Sequence, residues 1–199
     1  MKRMSKSTRP AQSAFTLIEL LVVISIIAVL AGLAFPAVNG AIESAKKAKA
    51  KNDVAQIVGA IKAYQTEYGK LPNVDGKTKF EDNNSPLFNV LRGTANEGSQ
   101  LLQMNPRKIA FIEIRIGKGG KDGLATEGSS VGSFVDPWGT PYKIWLDDDY
   151  NNEVQSMDYT GGWGIVPGSA IAASAGKDKT FGSGPKEQGT AKDDVISWQ

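Results

Sequence analysis

The sequence predicts an α+β protein: a long N-terminal α-helix, half of it transmembrane, packed on a small antiparallel β-sheet head that ends in a loop. Three observations lead there. An almost wholly apolar run, Phe15 to Val38, follows a basic N-terminus. Apolar side chains then recur at spacings of three and four as far as Tyr68, the signature of a one-sided helix. After Pro72 the texture changes to turns and short β-branched or aromatic runs.

Composition narrows the function. The formal net charge of the 199 residues is only +2, too small to suggest nucleic acid as a partner. Its distribution says more, because Lys2, Arg3, Lys6 and Arg9 precede the apolar run with no acid among them. There is no cysteine and no histidine. That excludes disulfides, thiolate metal sites and a cysteine nucleophile, and removes the commonest general base. No catalytic residues are expected.

Element by element, residues 1–14 form a basic and polar leader, which the positive-inside rule keeps cytoplasmic. Residues 15–38 have the length of a bilayer-spanning helix. One residue is wrong for an ordinary span: Glu19, a carboxylate inside the apolar run, where an ionised group is costly without a partner. A plain single-span anchor leaves Glu19 unexplained. So does an ordinary secretory signal cut after Gly32-Leu33-Ala34, which would release a domain beginning at Phe35.

Pro36 should kink the helix rather than end it. Residues 39–72 continue it with one apolar stripe, Val54, Ile57, Val58, Ile61, Tyr64 and Tyr68, and Gly69 and Pro72 bracket its stop. Lys46, Lys47, Lys49 and Lys51 read as a solvated face, with lipid headgroups or an acidic neighbour as the sharper alternative.

Residues 73–199 make the head. Asn73 to Ser85 reads as loop, Pro86 to Arg92 as a short helix, and Ile109 to Ile116 as a strand. Gly117 to Gly132 reads as a flexible loop, and its GKGGKDG segment lacks the strand and helix a phosphate cradle needs. Asp136-Pro137-Trp138-Gly139 is a turn, and Tyr142 to Leu146 and Ala170 to Ser174 are strands, the latter the last. Asp147, Asp148, Asp149, Asn151 and Glu153 alternate like the first half of an EF-hand. Asn152 holds the place of its glycine, however, and Asp158 that of its final glutamate, so a solvated hairpin turn is preferred. From Ser174 to Trp198 a glycine-containing loop has acidic ends that closure would bring together, and calcium takes six to eight such oxygens.

The string Ala14-Phe15-Thr16-Leu17-Ile18-Glu19-Leu20-Leu21 resembles the prepilin signal of type IV pilins and type II secretion pseudopilins. The resemblance implies cleavage between Ala14 and Phe15 by a prepilin peptidase, with Ala14 where the family usually has glycine. It further implies N-methylation of Phe15 and a Glu19 that pairs with the α-amino group of a neighbouring Phe15 and sets axial register. Tyr68-Gly69-Lys70-Leu71-Pro72 and the segment Asp136-Pro137-Trp138-Gly139-Thr140-Pro141-Tyr142 are similar to the major pseudopilin of type II secretion.

In that family the C-terminal loop binds calcium. Ser174, Gly176 and Asp178 match its start, Asp193 and Asp194 its end, and Ser174 and Val195 could add backbone or hydroxyl oxygens. Lys179, Lys186 and Lys192 weaken such a site, and a metal-free loop closed by Asp–Lys contacts is the alternative.

The resemblance implies a non-enzymatic, pilin-like subunit of a homo-oligomeric filament in the periplasm. It would be anchored by a single pass in the inner membrane, with its head in the periplasm. Implied partners are the prepilin peptidase/N-methyltransferase, minor pseudopilins and the inner-membrane secretion platform. A type IV pilin for adhesion or motility, and a membrane-anchored or secreted binding domain, are the alternative functions.

Overall fold

The computed structural model describes residues 15–147, 149–155, 164–182 and 189–198. The chain divides into two compact units between Ser44 and Ala45. In the first, the helix α1 (Leu17–Tyr68) begins, and its large apolar side chains from Leu17 to Ile42 are exposed all round. The helix is long and apolar enough to cross a membrane. Pro36 lies inside it without ending it. Ser25, its hydroxyl in an apolar setting, donates to the Leu21 carbonyl at 2.7 Å and so satisfies itself within the helix.

In the second unit α1 becomes one-sided. Ala50, Val54, Ile57, Ile61 and Tyr64 are fully buried, at spacings of three and four. Burying each of the larger aliphatic ones is worth about 1.5–3 kcal/mol. Gly69 stops the helix in the left-handed conformation, φ 66°, with its N–H on the Gln65 carbonyl.

The main sheet has four antiparallel strands in the order β1 (Lys79–Phe80), β4 (Lys143–Leu146), β7 (Ala170–Ser174), β8 (Val195–Ile196). Both of its faces are covered. Ile144, Leu146, Ala170 and Ala172 join the helix-side core, while Trp145, Ile171, Ala173 and Ile196 join a second cluster with Val154, Val166 and Ala191. The side-chain period of two thus serves two cores. Two small ribbons pair β2 (Gly123–Leu124) with β3 (Phe134–Val135) and β5 (Glu153–Gln155) with β6 (Ile165–Pro167). Short helices α2 (Ser85–Leu91) and α3 (Gln100–Met104) complete the second unit.

Four expectations are corrected. Ile109 to Ile116 is not a strand, because its backbone groups go elsewhere than to a neighbouring strand. Ile109 bonds to the Asn105 side chain through both N–H and carbonyl, Phe111 N–H reaches the Leu91 carbonyl, and only Ile116 bridges Leu124. Gly117 to Gly132 is not wholly loop. Gly119 and Gly120, at φ 58° and 66°, turn Lys118 back on Lys121, and β2 follows. Ala170 to Ser174 is not the last strand, since β8 adds to its edge. Similarly, the stretch read as loop before Ser85 holds β1.

Candidate functional site

The N-terminal site starts from Phe15, which is 78% exposed, and Ala14 before it lies outside the described residues, as does the rest of the leader. Thr16 and Glu19 form a reciprocal capping box at the start of α1. The Thr16 N–H and hydroxyl both donate to Glu19 Oε2, at 2.8 and 2.7 Å, while Glu19 N–H reaches Thr16 Oγ1 at 3.3 Å. The anionic side chain also complements the positive end of the helix. Sequence reading gave Glu19 a role between subunits and missed this role within one. The spacing Thr-x-x-Glu was the available signal.

The C-terminal loop is closed at its base by the pairing of Ser174 with Val195. Asp193 Oδ2 accepts the Asp178 N–H at 2.9 Å, so the two acidic ends do meet. Asp194, 3% exposed, accepts the Gly182 N–H at 3.1 Å. Two glycines permit this closure. A Cβ on Gly176 would lie 2.4 Å from the Asp193 carbonyl oxygen, and one on Gly182 would lie 2.1 Å from the Ala191 nitrogen. As a calcium cage the arrangement fits in part. The Asp178 backbone meets the Asp193 carboxylate, yet among the described residues no three acidic side chains gather, and Asp178, Asp193 and Asp194 each accept a backbone N–H.

Ser174 links that loop to the Asp-Pro-Trp-Gly turn, its hydroxyl accepting the Gly176 N–H at 3.1 Å. Its hydroxyl donates to Asp136 Oδ2 at 2.6 Å, and Asp136 Oδ1 accepts the N–H groups of Trp138 and Thr140, each at 2.9 Å. Burial pushes the Asp136 carboxyl up from its ordinary range, and these hydrogen bonds pull it partly back. The Asp-Pro-Trp-Gly turn is therefore held by its own aspartate and tied to the end of β7. Nothing in the spacing of residues 136 and 174 announces that pair.

A second buried network joins helix to sheet. Tyr142 donates to Asp53 Oδ2 at 2.9 Å, and Lys49 reaches both carboxylate oxygens of Asp53, at 2.9 and 3.0 Å. Lys49 also faces Asp122 at 3.4 Å, and Asp122 pairs with Arg115. Lys49 is thus not part of a purely solvated lysine face. It neutralises a carboxylate that the apolar stripe would otherwise bury uncompensated.

Comparisons with known proteins agree with this reading. The prokaryotic N-terminal methylation motif matches residues 9–35. The chain is 27% identical over 134 residues to type II secretion system core protein G of Pectobacterium carotovorum subsp. carotovorum, a match spanning 62% of this chain and 85% of that protein. No solved structure matches. The methylation motif falls on the exposed apolar start of α1, and the similarity to core protein G accompanies a long helix on a small antiparallel sheet. On these grounds the chain carries a prepilin-type N-terminal methylation motif and is similar to a core protein of type II secretion.

Proposed function

We propose that this chain is the repeating structural subunit of a periplasmic pseudopilus that serves type II protein secretion. One observation carries the reading: a prepilin methylation motif coincides with an apolar helix whose side chains are covered by nothing in their own unit. So much apolar surface needs a bilayer, or copies of itself, around it. A prepilin peptidase/N-methyltransferase would cut between Ala14 and Phe15 and methylate Phe15. Glu19 would then exchange its Thr16 contacts for the α-amino group of a neighbouring Phe15, which fixes the axial step. Minor pseudopilins and an inner-membrane platform are the remaining partners, and the head lies in the periplasm. The chemistry is assembly, not catalysis.

Intact mass of the protein recovered from membranes tests the first step. The expected mass is that of residues 15–199 plus one methyl group. An uncut chain, or one beginning at Phe35, contradicts the proposal. Replacing Glu19 with Ala should leave the protein in the membrane and stop filament formation, read by shearing and blotting; normal filaments from that variant would remove the register role.

Calcium in the C-terminal loop belongs to the same proposal, held by Asp178, Asp193 and Asp194 with oxygens of Ser174 and Val195. What supports it is the meeting of the acidic ends. The Asp178→Asn/Asp194→Asn double variant should lower the calcium-induced rise in melting temperature; an unchanged rise would count against this loop as a calcium site.

A further inference from the structure

The connection from β4 to β5, residues 147–153, places oxygen-bearing side chains in the order of a calcium loop. Asp147, Asp149 and Asn151 stand at the first, third and fifth positions, and the Glu153 carbonyl at the seventh. Glycine normally holds the sixth position, because the turn there is sharp. Asn152 occupies it here with φ 64°, the left-handed conformation that asparagine tolerates better than most side chains. The absence of glycine therefore does not exclude such a loop.

Burial supplies the independent observation. Asp147 is only 4% exposed, unlike a solvated turn residue. Its backbone N–H bonds the Ser169 carbonyl at 3.0 Å, which anchors it at the end of β4. Its Oδ2 accepts the Asn152 N–H at 2.8 Å, so the carboxylate is turned into the loop. Its Oδ1 is buried with no hydrogen-bond partner. A buried carboxylate oxygen left so is costly, and a cation is the ligand that would satisfy it.

The other donors are near at hand in the chain and partly exposed to an incoming ion. Asp149 and Asn151 are exposed, and the Gly168 N–H bonds the Asn152 carbonyl at 2.8 Å, so in the alternating ladder of the β5–β6 pair the next carbonyl, that of Glu153, faces away from β6. This donor set holds two carboxylates, one amide and one carbonyl, so it needs no cluster of three acids, and none occurs among the described residues.

We propose that Asp147, Asp149 and Asn151, with the Glu153 carbonyl, form a calcium site on the β4–β5 connection, distinct in every residue from the C-terminal loop. Four protein oxygens leave the other positions to water. The site is accordingly weak, in the range of about 10⁻⁴–10⁻³ M found for extracellular calcium modules. Magnesium, smaller and strictly octahedral, fits such an open set poorly.

The test uses the full-length chain in detergent, stripped with a chelator and titrated with calcium chloride to about 10 mM by calorimetry. It compares Asp149→Asn, Asp147→Asn and the Asp178→Asn/Asp194→Asn double variant. The expected result is a millimolar-range site that survives in the double variant and weakens about tenfold or more in Asp149→Asn and Asp147→Asn. Asp149 is exposed, so that variant carries the test even where Asp147→Asn does not fold. No calcium binding by the parent chain, equal binding by Asp149→Asn, or binding lost only in the double variant would each overturn the site. Equal affinity for magnesium would overturn the assignment to calcium.

Discussion

A buried amide satisfies itself only where several backbone groups meet it at once, and Asn84, fully buried, meets three. Its Nδ2 donates to the carbonyls of Phe134 and Tyr142 at 3.0 and 2.8 Å, and its Oδ1 accepts the Phe134 N–H at 2.8 Å. That holds the start of α2 against β3 and the approach to β4. Tyr142 itself is buried, donates to Asp53, and has its phenol pushed well above the ordinary range, by burial first and the Asp53 charge second. A folded-state value above the unfolded one means stability is present below the unfolded value, about 10, and lost as pH rises beyond it. Tyr142→Phe should therefore be less stable at pH 8 by about 1.5–3 kcal/mol, the worth of a hydrogen bond to a charged acceptor. Above pH 10 that deficit should shrink by up to about 1.4 kcal/mol per pH unit, since only the parent chain must keep this phenol neutral. Urea melts of both chains between pH 8 and 11 read this directly; a gap that stays constant would refute the assignment.

At the level of elements, the sequence revealed some parts and hid others for identifiable reasons. Helix α1 was legible because its pattern repeats over many turns and its stop, Gly69, carries its own conformational signal. The short helix α2 was legible from Pro86 and the spacing of Leu87, Val90 and Leu91. Ile109 to Ile116 misled because β-branched composition reports a pleated, half-buried surface, whereas a strand also requires a partner; Asn105 and Leu91 took those backbone groups instead. Strands β1 and β8, two residues each, carry no period to read. The C-terminal loop was legible as acidic ends that meet, but not as a loop whose closeness depends on glycine. Gly182 is the sharpest case, because its φ is unexceptional and only the approach of Ala191 forbids a side chain. Gly182→Ala should force the short 3-10 helix at Gly189–Lys192 away from β7 and cost about 1–3 kcal/mol, the usual range for overpacking. Faster proteolysis between Phe181 and Asp194, with cleavage elsewhere unchanged, is the expected readout. An unaltered pattern would show that the loop yields without losing its closure.

For the whole molecule, the division at Ser44 and Ala45 separates two kinds of apolar surface. Every buried hydrophobic residue of the two cores lies at Ala50 or beyond, while the large apolar side chains from Phe15 to Ile42 are exposed. Among the described residues, the core of the head is therefore built from Ala50 onward, and removal of the apolar half should leave that core in place. A chain beginning at Ala45 should be soluble without detergent, monomeric by light scattering, and should unfold in one cooperative transition. Its melting temperature should lie within about 4 °C of that of the full chain in detergent, the upper end of the shift that about 1 kcal/mol produces in a domain of this size. The full chain transferred out of detergent should associate, since the exposed run then has only water or other copies to meet. A shortened chain that aggregates or melts without cooperativity would show that the head needs the apolar half to fold. In that case association could not be assigned to the exposed run alone, and the separation of a folding unit from an assembling one, on which the filament reading rests, would have to be abandoned.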